Sequence, residues 1–118
     1  MATEADRTMA EDPVPVLGFA NPVFAPGRNT SIRNGTRWLG VPQVRLQLAD
    51  GRLSPPLVLH TRALRFDQLS PRDLACEHDP ACRDPAGLLA VMQQHYPGFE
   101  AGAMVTVCDF WLPPQRPA

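Results

Sequence analysis

From Gln43 the chain alternates cleanly, with Val44, Leu46 and Leu48 on one side and Arg45 and Gln47 on the other. That two-residue period predicts a half-buried strand, and the Asp50-Gly51 pair after it predicts a tight turn. The return, Leu53–Phe66, is broken at Pro55-Pro56 and resumes from Leu57. Proline cannot donate to a ladder, so the return strand begins at an edge or a bend. Ser70-Pro71-Arg72-Asp73 combines an N-cap, a proline at the first helical position and an acid three residues after the cap. It predicts a short helix over roughly Pro71–His78. Asp84-Pro85 repeats the signal, and Leu88, Leu89, Val91, Met92 and Tyr96 form a helical apolar face that ends at Pro97-Gly98. Met104–Leu112 alternates again and predicts a closing strand.

The remainder is less regular. Pro13–Pro26 sets four prolines among apolar residues and predicts an extended lead-in that covers part of the core. Gly27–Gly35 is polar, ends in Asn34-Gly35 and predicts a turn-rich loop suited to a binding site. These elements make a small α+β fold, a largely antiparallel sheet or barrel with two short helices. The domain is expected over residues 24–112, after a flexible acidic and proline-rich segment at 1–23 and before a proline-rich tail at 113–118.

The 118 residues suit one domain, and 14 prolines, over twice the usual share of roughly 5%, argue against long helices. No apolar run approaches the roughly 18 residues of a membrane span, and Met1–Glu11 lacks the apolar stretch of a secretory signal. A soluble, cytoplasmic protein is expected, with the oligomeric state open, a monomer included. Three scattered cysteines, Cys76, Cys82 and Cys108, make no disulfide framework. The Cys76-x-His78-x-x-x-Cys82 spacing matches no common zinc pattern, so no metal and no other cofactor is expected.

Charge divides along the chain. Residues 28–66 hold seven arginines and one acid, Asp50, whereas residues 67–110 hold seven acids and two arginines. All 11 basic residues are arginine. Either the arginines share a face that binds phosphate, since guanidinium presents a planar donor fork, or they alternate outward and pair with acids across the fold. Arg28, Arg33 and Arg37 surround the polar loop beside Trp38, equipment for stacking and contacting bases; a core position is the other reading of Trp38. His60 and His95 read as structural.

The order of Gly27-Arg28-Asn29-Thr30-Ser31-Ile32-Arg33, Thr61-Arg62-Ala63-Leu64-Arg65-Phe66, Asp73-Leu74-Ala75-Cys76-Glu77, Tyr96-Pro97-Gly98 and Val105-Thr106-Val107-Cys108-Asp109-Phe110 resembles the ASCH domain family. The nearest likeness is to the small bacterial members that include the N(4)-acetylcytidine amidohydrolases. The resemblance implies a PUA-like β-barrel and a cleft beside it that recognises RNA or a modified nucleoside. With its Gly-initiated loop at that cleft, and Arg37 and Trp38 added from the charge pattern, the ligand residues expected are Arg28, Asn29, Thr30, Arg33, Arg37 and Trp38. The amidohydrolase members use a lysine, a threonine and a glutamate. Here Arg28 or Asn29 falls at the lysine, Ser31 at the threonine and Glu77 at the glutamate. The family's motif glutamate has no counterpart.

The missing lysine has chemical content. Arginine stays charged and asparagine has no basic lone pair, so neither replaces a lysine base. Two functions follow. One is a binding module for RNA or a modified nucleoside, through Arg28, Ser31, Arg33 and Arg37 with Glu77 reading a base edge. The other is an amidohydrolase in which Glu77 activates water while Arg28 and Ser31 hold the carbonyl oxygen. Each residue also has a plainer reading, Glu77 as a solvated helix end and Ser31 as a turn cap.

Overall fold

The closing strand is the centre of the molecule. In the computed structural model, which describes residues 13–113, β6 (Met104–Leu112) lies between β2 (Gly27–Asn34) and β5 (His60–Arg65), antiparallel to both. A central strand is covered on both faces, and Val105 to Cys108 are buried without interruption. Val105 and Val107 meet one apolar cluster with Ile32, Phe66, Leu74, Leu88, Met92 and Phe99. Cys108 and Phe110 meet a second with Leu17, Val44, Leu46 and Leu59.

The second cluster lies against a smaller sheet of β1 (Val16–Leu17), β3 (Gln43–Leu46) and β4 (Leu57–Val58). Its pairing is mixed, with β1 parallel and β4 antiparallel to β3. The hairpin expected after Gln43 forms only in part. β3 pairs with Leu57–Val58, and past buried Leu59 the chain continues as β5 in the other sheet. The fold is therefore α+β with two open three-stranded sheets, neither closed on itself.

The expected loop at 27–35 is a strand, and the reason lies in its hydrogen bonds. Asn29, Thr30 and Ser31 are polar yet buried, which is tolerable only when each has partners. Asn29 accepts from the Ala25 N–H at 3.0 Å and donates to the Ala25 carbonyl at 2.7 Å. The Thr30 hydroxyl donates to Asp109 Oδ1 at 2.6 Å, and Ser31 Oγ accepts from Arg33 Nε at 2.9 Å. The turn falls at Gly35, whose φ of 74° is open to glycine.

Both helices start where the capping signals put them. In α1 (Pro71–Leu74), Ser70 and Asp73 bond reciprocally, with Ser70 N–H donating to Asp73 Oδ2 at 2.7 Å. In α2 (Pro85–His95), Asp84 accepts from the Gly87 N–H at 2.8 Å. α1 stops four residues before His78 because Cys76–His78 leaves the helix to lie along β2. There Thr30 N–H donates to the Cys76 carbonyl at 2.7 Å and His78 N–H to the Thr30 carbonyl at 2.9 Å.

The folded region also begins before residue 24. Leu17 is fully buried, and Phe19 and Phe24 pack against the same cluster. Residues 16–23 thus belong to the domain rather than to a flexible lead. Residues 1–12 of the expected acidic segment and 114–118 of the expected tail lie outside the described residues. Among the described residues no helix is long and apolar enough to cross a membrane.

Candidate functional site

Where Cys76–His78 runs beside β2, the Glu77 side chain turns inward and the residue is 2% exposed. Its Oε2 accepts from the Ile32 N–H at 3.3 Å, and its Oε1 accepts from the Asp79 N–H at 3.1 Å. Burial penalises the charged form more than these bonds favour it, so the Glu77 carboxyl is pushed up to about 7. A carboxyl titrating near neutrality can both give and take a proton at working pH. This disposes of the solvated reading.

Glu77 lines a cavity of about 110 Å³ together with Ser31, Arg33, His78, Phe19 and Tyr96. His78 Nδ1 stands 3.2 Å from the Val23 carbonyl, which can only accept, so Nδ1 carries the proton. Its Nε2 then presents a lone pair 3.4 Å from Glu77 Oε1. Burial lowers the His78 pKa and keeps the ring neutral. Phe19 packs edge-on against His78 with centroids 4.8 Å apart.

Arg33 is the fixed cation of this site. Its Nε donates to Ser31 Oγ, its Nη2 donates to the Gly18 carbonyl at 2.6 Å, and its guanidinium lies 4.8 Å from the Phe19 ring centre. Ser31 is therefore engaged as an acceptor for Arg33. A second hollow, of about 390 Å³, adjoins the first and shares Gly18, Arg33 and Tyr96 with it. Arg37 and Trp38 line this second hollow, the Arg37 guanidinium 5.4 Å from the Trp38 ring centre. Trp38 also packs against the second apolar cluster, which is the core position the sequence allowed for it.

Arg28, Asn29 and Thr30 stand apart from the cavity. Arg28 Nε lies 3.5 Å from Asp109 Oδ1, and Asn29 and Thr30 are committed to the bonds already described. Four of the seven arginines in the basic half are paired with aspartates, Arg28 among them. Arg62 pairs with Asp73, Arg65 with Asp67 and Arg52 with Asp50.

Three contributors, Phe19, His78 and Tyr96, were not site residues in the sequence reading. Phe19 belongs to a stretch with no periodicity, Tyr96 reads as the end of a helical apolar face, and His78 drew notice for its spacing from two cysteines and as an activating partner for Ser31. Burial pushes the Cys82 and Cys108 thiols up to about 12, which leaves neither as a nucleophile near neutral pH. Among the described residues no three His, Cys, Asp or Glu side chains are grouped to hold a metal ion. Comparison with known proteins places the chain in no family: no family model, no curated protein and no solved structure matches it.

Proposed function

We propose that this chain is an ASCH-type domain of PUA-like fold, cytoplasmic, that binds a nucleoside, free or within RNA, in the Glu77 cavity. The observation that carries the reading is the meeting of a buried, near-neutral carboxyl and a fixed arginine in one cavity. A protonated carboxyl offers a donor beside an acceptor, which complements a base edge that presents an acceptor beside a donor, as N3 and the 4-amino group of cytosine do. The exposed aromatic Tyr96 at the same cavity supplies a face for the base. Three free thiols suit a reducing compartment.

Hydrolysis is the second reading, and the same carboxyl favours it. Ionised Glu77 could take a proton from water while Arg33 stabilises a developing oxyanion. Here Arg33 replaces Arg28, which is turned to Asp109.

The two readings have opposite pH signatures. Binding through protonated Glu77 weakens as pH rises above about 7, whereas catalysis by ionised Glu77 gains rate through the same range. The test incubates the full chain with N(4)-acetylcytidine, measuring binding by calorimetry and deacetylation by chromatography. Saturable binding that fades above pH 7 without turnover supports the binding module. Turnover that rises with pH and disappears in Glu77→Gln supports the hydrolase and displaces it. Neither binding nor turnover refutes both.

A further inference from the structure

Four of the described arginines face aspartates, at positions 28, 52, 62 and 65. Among the described residues Arg33, Arg37, Arg45, Arg72 and Arg83 have no carboxylate within ion-pair range, and of these Arg33 and Arg37 line the hollow beside the Glu77 cavity. Two uncompensated guanidinium groups in a concave surface are a ready place for an anion.

We infer that this hollow is a phosphate-monoester subsite, so that the ligand of the Glu77 cavity is a mononucleotide rather than a free nucleoside. The inference rests on the proposed reading of that cavity as the base site.

Arg33 is held for the task before any ligand arrives. Its bonds to Ser31 Oγ and the Gly18 carbonyl use two of the five N–H groups a guanidinium carries. Both acceptors are neutral, so neither cancels its charge. Arg37 is exposed and adds the second fork. The two hollows meet along Gly18, Arg33 and Tyr96, which lets one ligand occupy both.

A monoester fits better than a continuing RNA strand. A terminal phosphate carries close to two negative charges at neutral pH, matching two arginines, while a diester carries one. Beyond Asn34 and Tyr96 the surface opens into a further hollow that contains Glu100 and no basic residue. A polynucleotide leaving by that route would meet an acid.

The test titrates the full chain at low salt with cytidine, cytidine 5′-monophosphate and the dinucleotide cytidylyl-cytidine, in wild type and in Arg37→Ala. Arg37 is exposed and outside both apolar clusters, so the variant is expected to fold. The monophosphate should bind about tenfold more tightly than cytidine. That advantage should collapse in Arg37→Ala and shrink with added salt, with cytidine affinity unchanged. Equal affinity for cytidine and its monophosphate, or an advantage that survives Arg37→Ala, overturns the subsite and leaves the base site standing. Tighter binding of the dinucleotide overturns the monoester in favour of RNA. Failure of all three ligands to bind overturns the base site and the subsite together.

Discussion

Glu77 Oε2 accepts a hydrogen bond from the backbone N–H of Ile32 at 3.3 Å. That N–H lies on the outer edge of β2, away from the ladder to β6, and would otherwise be an unpaired donor in the interior. The carboxyl thus closes a sheet edge and faces the cavity at once, and structure and chemistry are coupled through one side chain.

The first consequence is a pH dependence of stability with two opposing parts. The Glu77 pKa rises on folding from an ordinary 4.5 to about 7, so its contribution is greatest below 4.5 and declines as pH climbs to 7. The His78 pKa falls on folding from 6.5, so its contribution is present above 6.5 and is lost as pH drops below that value. Glu77→Gln removes the declining part. Urea melts should show the variant gaining on wild type between pH 5 and pH 7.5, by up to about 3 kcal/mol. An offset equal at both pH values would contradict the buried carboxyl.

Thr30 and Arg28 share Asp109 as a partner but differ in consequence. Thr30→Val keeps the shape and removes a buried hydroxyl that donates to a carboxylate, which should cost about 1–3 kcal/mol in thermal or denaturant unfolding. Arg28→Ala breaks a part-exposed ion pair and should cost under about 1 kcal/mol. Arg28→Ala should also leave nucleoside affinity unchanged, whereas the sequence resemblance would make it a ligand residue.

Gly87 tests the scaffold behind Glu77. A Cβ there would stand 2.2 Å from the Ala81 carbonyl oxygen, so α2 and the 3-10 turn Pro80–Cys82 could not keep their present approach. Gly87→Ala should destabilise the fold by about 1–3 kcal/mol. Because Arg83 of the same turn region donates to the Glu77 carbonyl at 2.9 Å, ligand affinity should fall with it.

Signals confined to a few residues were legible in the sequence. Ser70-Pro71-Arg72-Asp73 and Asp84-Pro85 act through bonds three residues apart, and both helix starts follow from them. The β3 alternation was also legible, because Val44 and Leu46 are buried while Gln43 and Gln47 are exposed. β2 was not, since Asn29, Thr30 and Ser31 look like a loop until Ala25, Asp109 and Arg33 supply their partners. The same limit applies to the site. Glu77 and Ser31 were named from the sequence, but the exchange of Arg28 for Arg33 depends on Gly18 and Asp109, far away in the chain. Strand alternation decides it, placing Arg28 beside Asp109 on one face and Arg33 on the other.

The most direct measurement is a carbon-detected NMR titration of the Glu77 carboxyl, with and without cytidine. The account predicts a midpoint near 7 in the free protein, moved upward by cytidine because the protonated carboxyl is the form that pairs with the base. A midpoint near 4.5, or one near 7 that saturating cytidine does not move, would contradict it.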